Sequence, residues 1–324
     1  MNYLQLPENE QHILPFYLAM EEYATRLAMS DDVFFMWQVT PTVIFGRNQV
    51  IQNEVNIDFC RSQGIAMYRR KSGGGCVFAD ENNVMMSYIT RSSNVDHTFA
   101  RYTRSVVDML RTLGLNADDN NRNDILIDGR KVSGNAFYHT NGCSIVHGTM
   151  LYDADTTLMA SALSPSREKL AAKGIASVQS RITTLHEHTD MSLEQFKDYA
   201  RKHLCESSIT LTATDVEKIH EIEKTYLEQD FIFGSNPPFS IRKHKYLDGV
   251  GEVEVRLDVK HNKIKRVAIM GDFFALGNVE QEIEQRLAGT EFDNNAVCEA
   301  LQTVDCSKII LNLNTEQLIN LITE

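Results

Sequence analysis

Two dipeptides, Asp128-Gly129 and Asn141-Gly142, constrain this chain more than any other feature, because each stands between two runs of strand character. Aspartate or asparagine followed by glycine tolerates the consecutive left-handed conformations of a two-residue hairpin turn. Residues 125–127, 131–138 and 143–152 are therefore predicted to form an antiparallel meander. Hairpins at the centre argue against alternating βαβ units, so the helical patterns around them indicate an α+β class: a mixed, largely antiparallel sheet flanked by helices.

Apolar spacings of three and four recur through residues 12–27, where Ile13, Phe16, Tyr17, Met20, Tyr23, Ala24 and Leu27 form one stripe. They recur at Phe99, Tyr102, Val106, Val107 and Leu110, a helix closed by Gly114. β-Branched and aromatic runs at 33–39 and 42–45, separated by Pro41, predict a strand pair ending at Gly46-Arg47-Asn48. A short helix at 57–62 stops at Gly64. Residues 65–70 then read as a strand entering a glycine loop, and 83–90 as the strand that follows. Two more helices, 192–205 and 214–227, open on capping-box patterns, Ser192 with Gln195 and Thr214 with Glu217.

The segment 164–180 has weak apolar periodicity and is expected to be mobile. Gly234-Ser235-Asn236-Pro237-Pro238 breaks the chain firmly. With 324 residues, more than one core usually organises, this break predicts two domains, 1–239 and 240–324. The second reads as a small α+β unit. Three strands turn at Asp248-Gly249 and at His261-Asn262, helices follow near 279–287 and 294–301, and a strand at 308–312 precedes a last helix.

Composition excludes several functions. A formal charge of −12 argues against a general nucleic-acid binder, whose affinity rests on a basic surface. Residues 1–11 lack a basic segment followed by an apolar run, and no stretch approaches the ~18 apolar residues of a membrane span, so no membrane association and a cytoplasmic location are expected. Cys60, Cys76, Cys143, Cys205, Cys298 and Cys306 are scattered without a CxxC pair, as reduced thiols would be. An anionic ligand must then be met by a local cluster of positive charge.

Arg69-Arg70-Lys71-Ser72-Gly73-Gly74-Gly75-Cys76-Val77-Phe78 supplies such a cluster at the end of a predicted strand. Glycines admit close approach of the backbone to an anion, and arginine offers a forked donor. A glycine triplet alone is more often a solvated turn, and this one is neither a Walker loop nor a GxGxxG fingerprint. A second element, Asn123-Asp124 through Gly129-Arg130-Lys131-Val132-Ser133-Gly134, puts Lys131 just past a hairpin turn. Strand alternation assigns Lys131, Ser133 and Asn135 to one face and Val132, Gly134 and Ala136 to the other. His147 falls on the neighbouring strand, where it either faces the same site or is satisfied within the sheet. His186 and His188 have ligand-like spacing but no third ligand nearby in sequence.

In order, these segments resemble the lipoate–protein ligase A family. The signatures are Phe45-Gly46-Arg47-Asn48-Gln49, the loop 69–78, Asn123-Asp124, Arg130-Lys131-Val132-Ser133-Gly134-Asn135-Ala136, His147-Gly148-Thr149-Met150-Leu151, and residues 170–181. The break at 231–239 resembles the family's junction to a small accessory domain. The resemblance implies a fold of the biotin/lipoate ligase type, akin to class II synthetases. It implies that lipoate attacks the α-phosphorus of Mg-ATP to give lipoyl-AMP, and that a carrier lysine then attacks the anhydride.

By the same resemblance Lys131 is the catalytic cation. The adenylate is bound by Arg70, Ser72, Gly73, Gly74, Gly75, Cys76, Val77, Phe78, Asn123, Asp124, Lys131 and His147, with Asp124 a candidate for magnesium. Residues 164–180 would cover the adenylate. ATP, Mg2+ and lipoate are the implied co-substrates. The acceptors are lipoyl domains of 2-oxoacid dehydrogenase complexes or a glycine-cleavage carrier protein. One departure is Ala79-Asp80 where the family commonly carries His-Asp. Alternatives are an ATP-independent octanoyl- or lipoyl-transferase, which needs an activated cysteine, and a lipoate-binding protein without turnover.

Overall fold

The computed structural model describes all residues except 9, 29–30, 50, 93, 121–122, 164–180, 234–240, 261 and 324. The chain runs through β1 (Asn2–Gln5), α1 (Leu14–Ala24), β2 (Val33–Trp37), β3 (Thr42–Phe45), α2 (Ile57–Ser62), β4 (Ala66–Arg69), β5 (Val77–Ala79) and β6 (Asn83–Thr90). It continues with α3 (Val95–Thr112), β7 (Ala117–Asp119), β8 (Asp124–Ile127), β9 (Arg130–Thr140), β10 (Cys143–Leu151), α4 (Thr156–Ala162), α5 (Leu193–Leu204), β11 (Ser207–Thr210), α6 (Ala213–Leu227) and α7 (Gln229–Phe233). Beyond residue 240 come β12 (Ile241–Leu247), β13 (Gly251–Lys260), β14 (Lys263–Gly271), α8 (Asn294–Leu301) and α9 (Thr315–Thr323).

Both hairpin turns form as expected. Asp128 and Gly129 have φ of 50° and 76°, and Asn141 and Gly142 have 52° and 73°, the paired left-handed residues of a two-residue turn. The meander β8-β9-β10 is the centre of an eight-stranded sheet of order β11-β1-β2-β6-β10-β9-β8-β7, antiparallel except where β1 pairs with β2 and β11. The mixed, largely antiparallel sheet is thus observed. The predicted pairing of 33–39 with 42–45 is not. β2 joins the main sheet, while β3 leaves it after Pro41 and pairs with β4 and β5 in a separate three-stranded sheet. Proline lacks the N–H and the ψ freedom of its neighbour, so it redirects the chain instead of closing a hairpin.

Four short strands escape the sequence patterns, β1, β5, β7 and β11. Runs of three or four residues are too short to show an alternation. Helix α6 starts earlier than predicted, because Thr212 with Asp215 forms the capping box that Thr214 with Glu217 also spells. α1 has every residue but Glu22 buried and packs between the main sheet and α6, as a helix apolar on nearly all sides must.

The region beyond 240 folds about its own sheet, β12-β13-β14, with Leu257, Ile264, Ile283, Val297, Leu301 and Leu318 in one buried cluster. The expected strand 308–312 is instead a 3-10 turn, Cys306–Lys308, and a single bridge from Ile310 to Ala275. Ile309 and Ile310 are both buried, so consecutive residues face inward and no alternating strand can form. The expected linker 234–238 and covering segment 164–180 lie outside the described residues.

In this region burial pushes the Glu284 carboxyl up to about 7, although it accepts a 2.6 Å hydrogen bond from Ile269 N–H. The folded chain therefore holds a proton that the unfolded one releases near the ordinary carboxylate range. Stability is lost as pH rises from that range through about 7. Glu284→Gln keeps the acceptor and removes the charge; its melting temperature should exceed that of the wild type at pH 8 and match it at pH 5.

Candidate active site

A cavity of about 440 Å³ opens between the main sheet, the small sheet and the region beyond residue 240. Its apolar wall is Leu14 and Leu18 of α1, Trp37 of β2, Ile44 of β3 and Met85 of β6, all members of one buried cluster. Its polar lining includes Asn120, Asn123, Asp124, Lys131 and Arg181. Among the described residues, this volume has the size and mixed lining of a small-molecule site.

Lys131 lies at the start of β9, where the pairing with β8 shifts between Ile125 and Leu126 so that Leu126 faces Lys131 and Ile125 faces Ser133. The extra residue is Val132, fully buried in the core. A bulge breaks strand parity, which corrects the predicted faces. Lys131 shares the cavity with Asn135, as expected, but also with Gly134 and Ala136, and Ser133 does not line it. The Lys131 ammonium curls over Gly134, where an added Cβ would meet Nζ at 2.5 Å and Cε at 2.8 Å. Gly134→Ala is accordingly expected to leave the melting temperature nearly unchanged, since only a flexible side-chain end must move. Displacing the ammonium by about 1 Å should still reduce turnover by about 10²-fold.

Asp124 is 1% exposed and sets the ammonium's position, with Oδ1 2.7 Å from Lys131 Nζ and Oδ2 on the Arg181 guanidinium. Both carboxylate oxygens face cations, so Asp124 does not fit a metal ligand as arranged. Among the described residues no group of three His, Cys, Asp or Glu side chains is gathered for a metal ion. Asn123 ties this corner to β9, because its carbonyl accepts from Asn135 N at 2.8 Å and Asn135 Nδ2 at 3.1 Å.

The glycine loop joins β4 to β5 and is braced by its own arginines. Arg70 donates from Nε to Ser72 Oγ at 2.8 Å, from Nη1 to Ile44 O at 3.0 Å, and from Nη2 to Gly73 O and Gly75 O at 2.7 Å each. Arg69 donates to the carbonyls of Gly46, Arg47, Gln49, Phe231 and Ile232 and stacks on Phe45. Burial lowers both guanidinium pKa values to about 10, which leaves both charged at neutral pH.

The glycines act differently from the sequence expectation. Gly46 passes under the loop so closely that a Cβ there would collide with Gly74 O. A Cβ at Gly73 would collide with Phe273 O, and Gly74 N–H donates to that carbonyl at 3.0 Å. The first two glycines of the triplet therefore serve close backbone packing, against β3 and against the turn after β14. Gly74, Gly75, Cys76, Val77, Phe78, Arg70 and His147 line the cavity; Ser72 and Gly73 lie behind it. Ala79, at the position where the resemblance leads one to expect histidine, is fully buried opposite Thr42.

Sequence reasoning missed the apolar wall, Arg181 as partner of Asp124, and the contribution of Tyr246, Asp248, Asp272 and Phe274 from beyond residue 240. Phe274 stacks on Phe137 with ring centroids 5.5 Å apart. Gly271 N–H donates to Asn48 O at 2.6 Å. Only Arg181 carried a signal, its place at the end of the motif 170–181.

A cavity that joins an apolar wall to a fixed ammonium beside a glycine loop has the chemistry to receive an amphiphilic acid. Residues 15–205 match the family profile of the lipoyl protein ligase A/B catalytic domain, and residues 236–322 that of the bacterial lipoate protein ligase C-terminus. The chain is 34% identical to the lipoate-protein ligase LplJ of Bacillus subtilis, the alignment covering 94% of this chain and 95% of that one. It is 32% identical to lipoate–protein ligase 1 of Staphylococcus aureus, with the same coverage. It belongs to the lipoate–protein ligase family. The fold is that of P. falciparum LipL1, solved in complex with lipoate, at a TM-score of 0.79 over 100% of this chain and 98% of that one with 17% identity. A lipoate-protein ligase A bound with ATP gives 0.62 at 23% identity over 72% of this chain and 98% of that one.

Proposed function

We infer that Lys131 and the glycine loop carry the two half-reactions of a lipoate–protein ligase in this chain. The family makes it an ATP-dependent ligase. In the first half-reaction a carboxylate oxygen of lipoate attacks the α-phosphorus of Mg-ATP; the bond to the bridging oxygen breaks, pyrophosphate leaves and lipoyl-AMP remains. In the second, a carrier lysine amine attacks the acyl carbon, the bond to the phosphate oxygen breaks, AMP leaves, and the amine's proton passes to solvent. Charge gathers on the α-phosphate oxygens in the first step and on the acyl oxygen in the second. A fixed cation in a site closed to water stabilises both.

The observation that carries this reading is the Lys131 ammonium, held 2.7 Å from a buried carboxylate at the edge of a cavity with an apolar wall. Asp124 acts as the holder of Lys131 and Arg181, and the magnesium arrives with ATP. The apolar wall receives the acyl chain at about 0.8 kcal/mol for each buried methylene, so octanoate competes with lipoate. The catalytic unit is 1–239 and the accessory unit 240–324. The acceptor is a lipoyl domain, of the kind that a bipartite ligase of Thermoplasma acidophilum was solved alongside. The transferase alternative asks for an activated thiol in the cavity, where Cys76 is the cysteine among the described lining residues. Burial pushes the thiols of Cys60, Cys143 and Cys306 up, and that of Cys205 to about 11, away from thiolate character.

Among the described residues no helix is long and apolar enough to cross a membrane. Lipoate-dependent exchange of labelled pyrophosphate into ATP tests the first half-reaction. Exchange without an acceptor is expected, and acyl transfer without ATP would overturn the reading.

A further inference from the structure

Behind the cavity runs a continuous line of buried hydrogen bonds that the reaction as described does not use. Trp37 Nε1 donates to Ser87 Oγ at 2.9 Å, and Ser87 Oγ donates to Glu21 Oε1 at 2.6 Å. Glu21 is also 2.9 Å from His147 Nδ1 through either oxygen, and His147 Nε2 is 2.7 Å from Ser72 Oγ. Ser72 in turn accepts from Nε of Arg70, whose Nη2 holds the carbonyls of Gly73 and Gly75. Glu21, Ser87 and Ser72 are each 0% exposed and none lines the cavity, whereas Trp37, His147 and Arg70 do.

Arginine cannot accept, so Arg70 Nε donates to Ser72 Oγ, which leaves the Ser72 proton free to serve His147 Nε2; with its ring proton then on Nδ1, the imidazole donates to Glu21. On the other arm Ser87 accepts from Trp37, so its proton also goes to Glu21. Both arms donate inward and the line has one terminus, a carboxylate that accepts from two sides and donates to neither. Glu21 Oε1 lies within reach of both arms and Oε2 of His147 alone, so a glutamine with its amide oxygen in the Oε1 place sets an NH2 against the His147 Nδ1–H.

We propose that Glu21 is a positioning residue that fixes the Trp37 wall and the glycine loop relative to each other through the line Trp37–Ser87–Glu21–His147–Ser72–Arg70. It rests on the adenylate-forming reading above only in what the positioning serves. The acyl group lies against the wall that includes Trp37, the phosphates beside the loop that Arg70 braces, and Glu21 sets the offset between them. A neighbouring pair reinforces the loop end: Glu22 takes Lys71 Nζ at 2.6 Å and the Tyr226 hydroxyl. Adjacent glutamates of α1 thus reach the consecutive loop residues Lys71 and, through His147, Ser72.

The test is a double-mutant cycle on the full chain, Glu21→Gln, Ser72→Ala and both, read by pyrophosphate exchange with lipoate and ATP. Glu21→Gln is expected to lower kcat by roughly tenfold with a smaller change in KM, and to cost less than about twofold when Ser72 is already alanine. A merely structural role would give the same loss in both backgrounds, and that result overturns the proposal. Trp37 is the sole tryptophan, which supplies a readout free of turnover. Ser72→Ala, four links away, should shift its emission, and Ser105→Ala on α3 should not. If the wild type exchanges no pyrophosphate but the emission shifts, the ligase reading fails and the relay stands. If Ser72→Ala leaves the emission unmoved, the relay fails whatever the wild type does.

Discussion

Lys131→Ala should reduce lipoate-dependent pyrophosphate exchange by about 10³-fold, the scale of losing one fixed donor to a developing oxyanion. The fold should survive. The Lys131 side chain is 24% exposed, and its removal leaves Asp124 with Arg181 as a charged partner, so no buried carboxylate is stranded. The melting temperature should move by no more than about 2–4 °C. Transfer from separately prepared lipoyl-AMP to a lipoyl domain should fall as well, because the proposed mechanism sets the same ammonium against the acyl oxygen in the second step. Near-normal exchange in a folded variant would remove Lys131 from the mechanism.

Arg69→Ala should have the largest effect on stability. Its guanidinium holds carbonyls from two distant segments, Gly46, Arg47 and Gln49 at 2.8–3.0 Å and Phe231 and Ile232 at 2.9–3.1 Å. Deleting it leaves several buried acceptors without a donor, at about 3 kcal/mol or more. At about 2–4 °C per kcal/mol for a chain of this class, the melting temperature should fall by roughly 6–12 °C. Arg69→Lys should recover little, because an ammonium cannot span acceptors spread along a planar fork. A thermal scan showing no loss would mean that the two segments are held elsewhere. Arg69 and Arg70 stand side by side in a cationic loop, yet in the fold both spend their donors on the protein itself, on backbone carbonyls and, for Arg70, on the Ser72 hydroxyl as well.

The chain's own letters disclosed the antiparallel centre, the caps at Ser192 and the order of motifs that places Lys131 near Asp124. These are local matters. A glycine after asparagine, a serine three residues before glutamine, or a lysine one residue past a turn biases the backbone through neighbours within four positions, and nothing distant reverses that bias. Parity along β9 failed because a bulge is decided by the pairing of two strands, and no pattern within β9 alone marks Val132 as the extra residue. The strand pair across Pro41 failed because both runs are apolar enough to serve either sheet. Their partners, β6 for one and β4 with β5 for the other, lie elsewhere in the sequence.

What the sequence alone determined is the hairpin meander and the presence on it of one lysine beside Asn123-Asp124. What only the tertiary structure decided is what surrounds that lysine: the acidic partner shared with Arg181, the wall from α1 and three strands, the turn after β14 pressed on Gly73, and Glu21 at the end of two hydrogen-bonded arms. The division has one physical cause. Turn and cap preferences are settled by sterics between neighbouring residues, whereas a buried carboxylate or a glycine without room for a Cβ acquires its meaning from groups dozens of residues away that meet it only when the core closes.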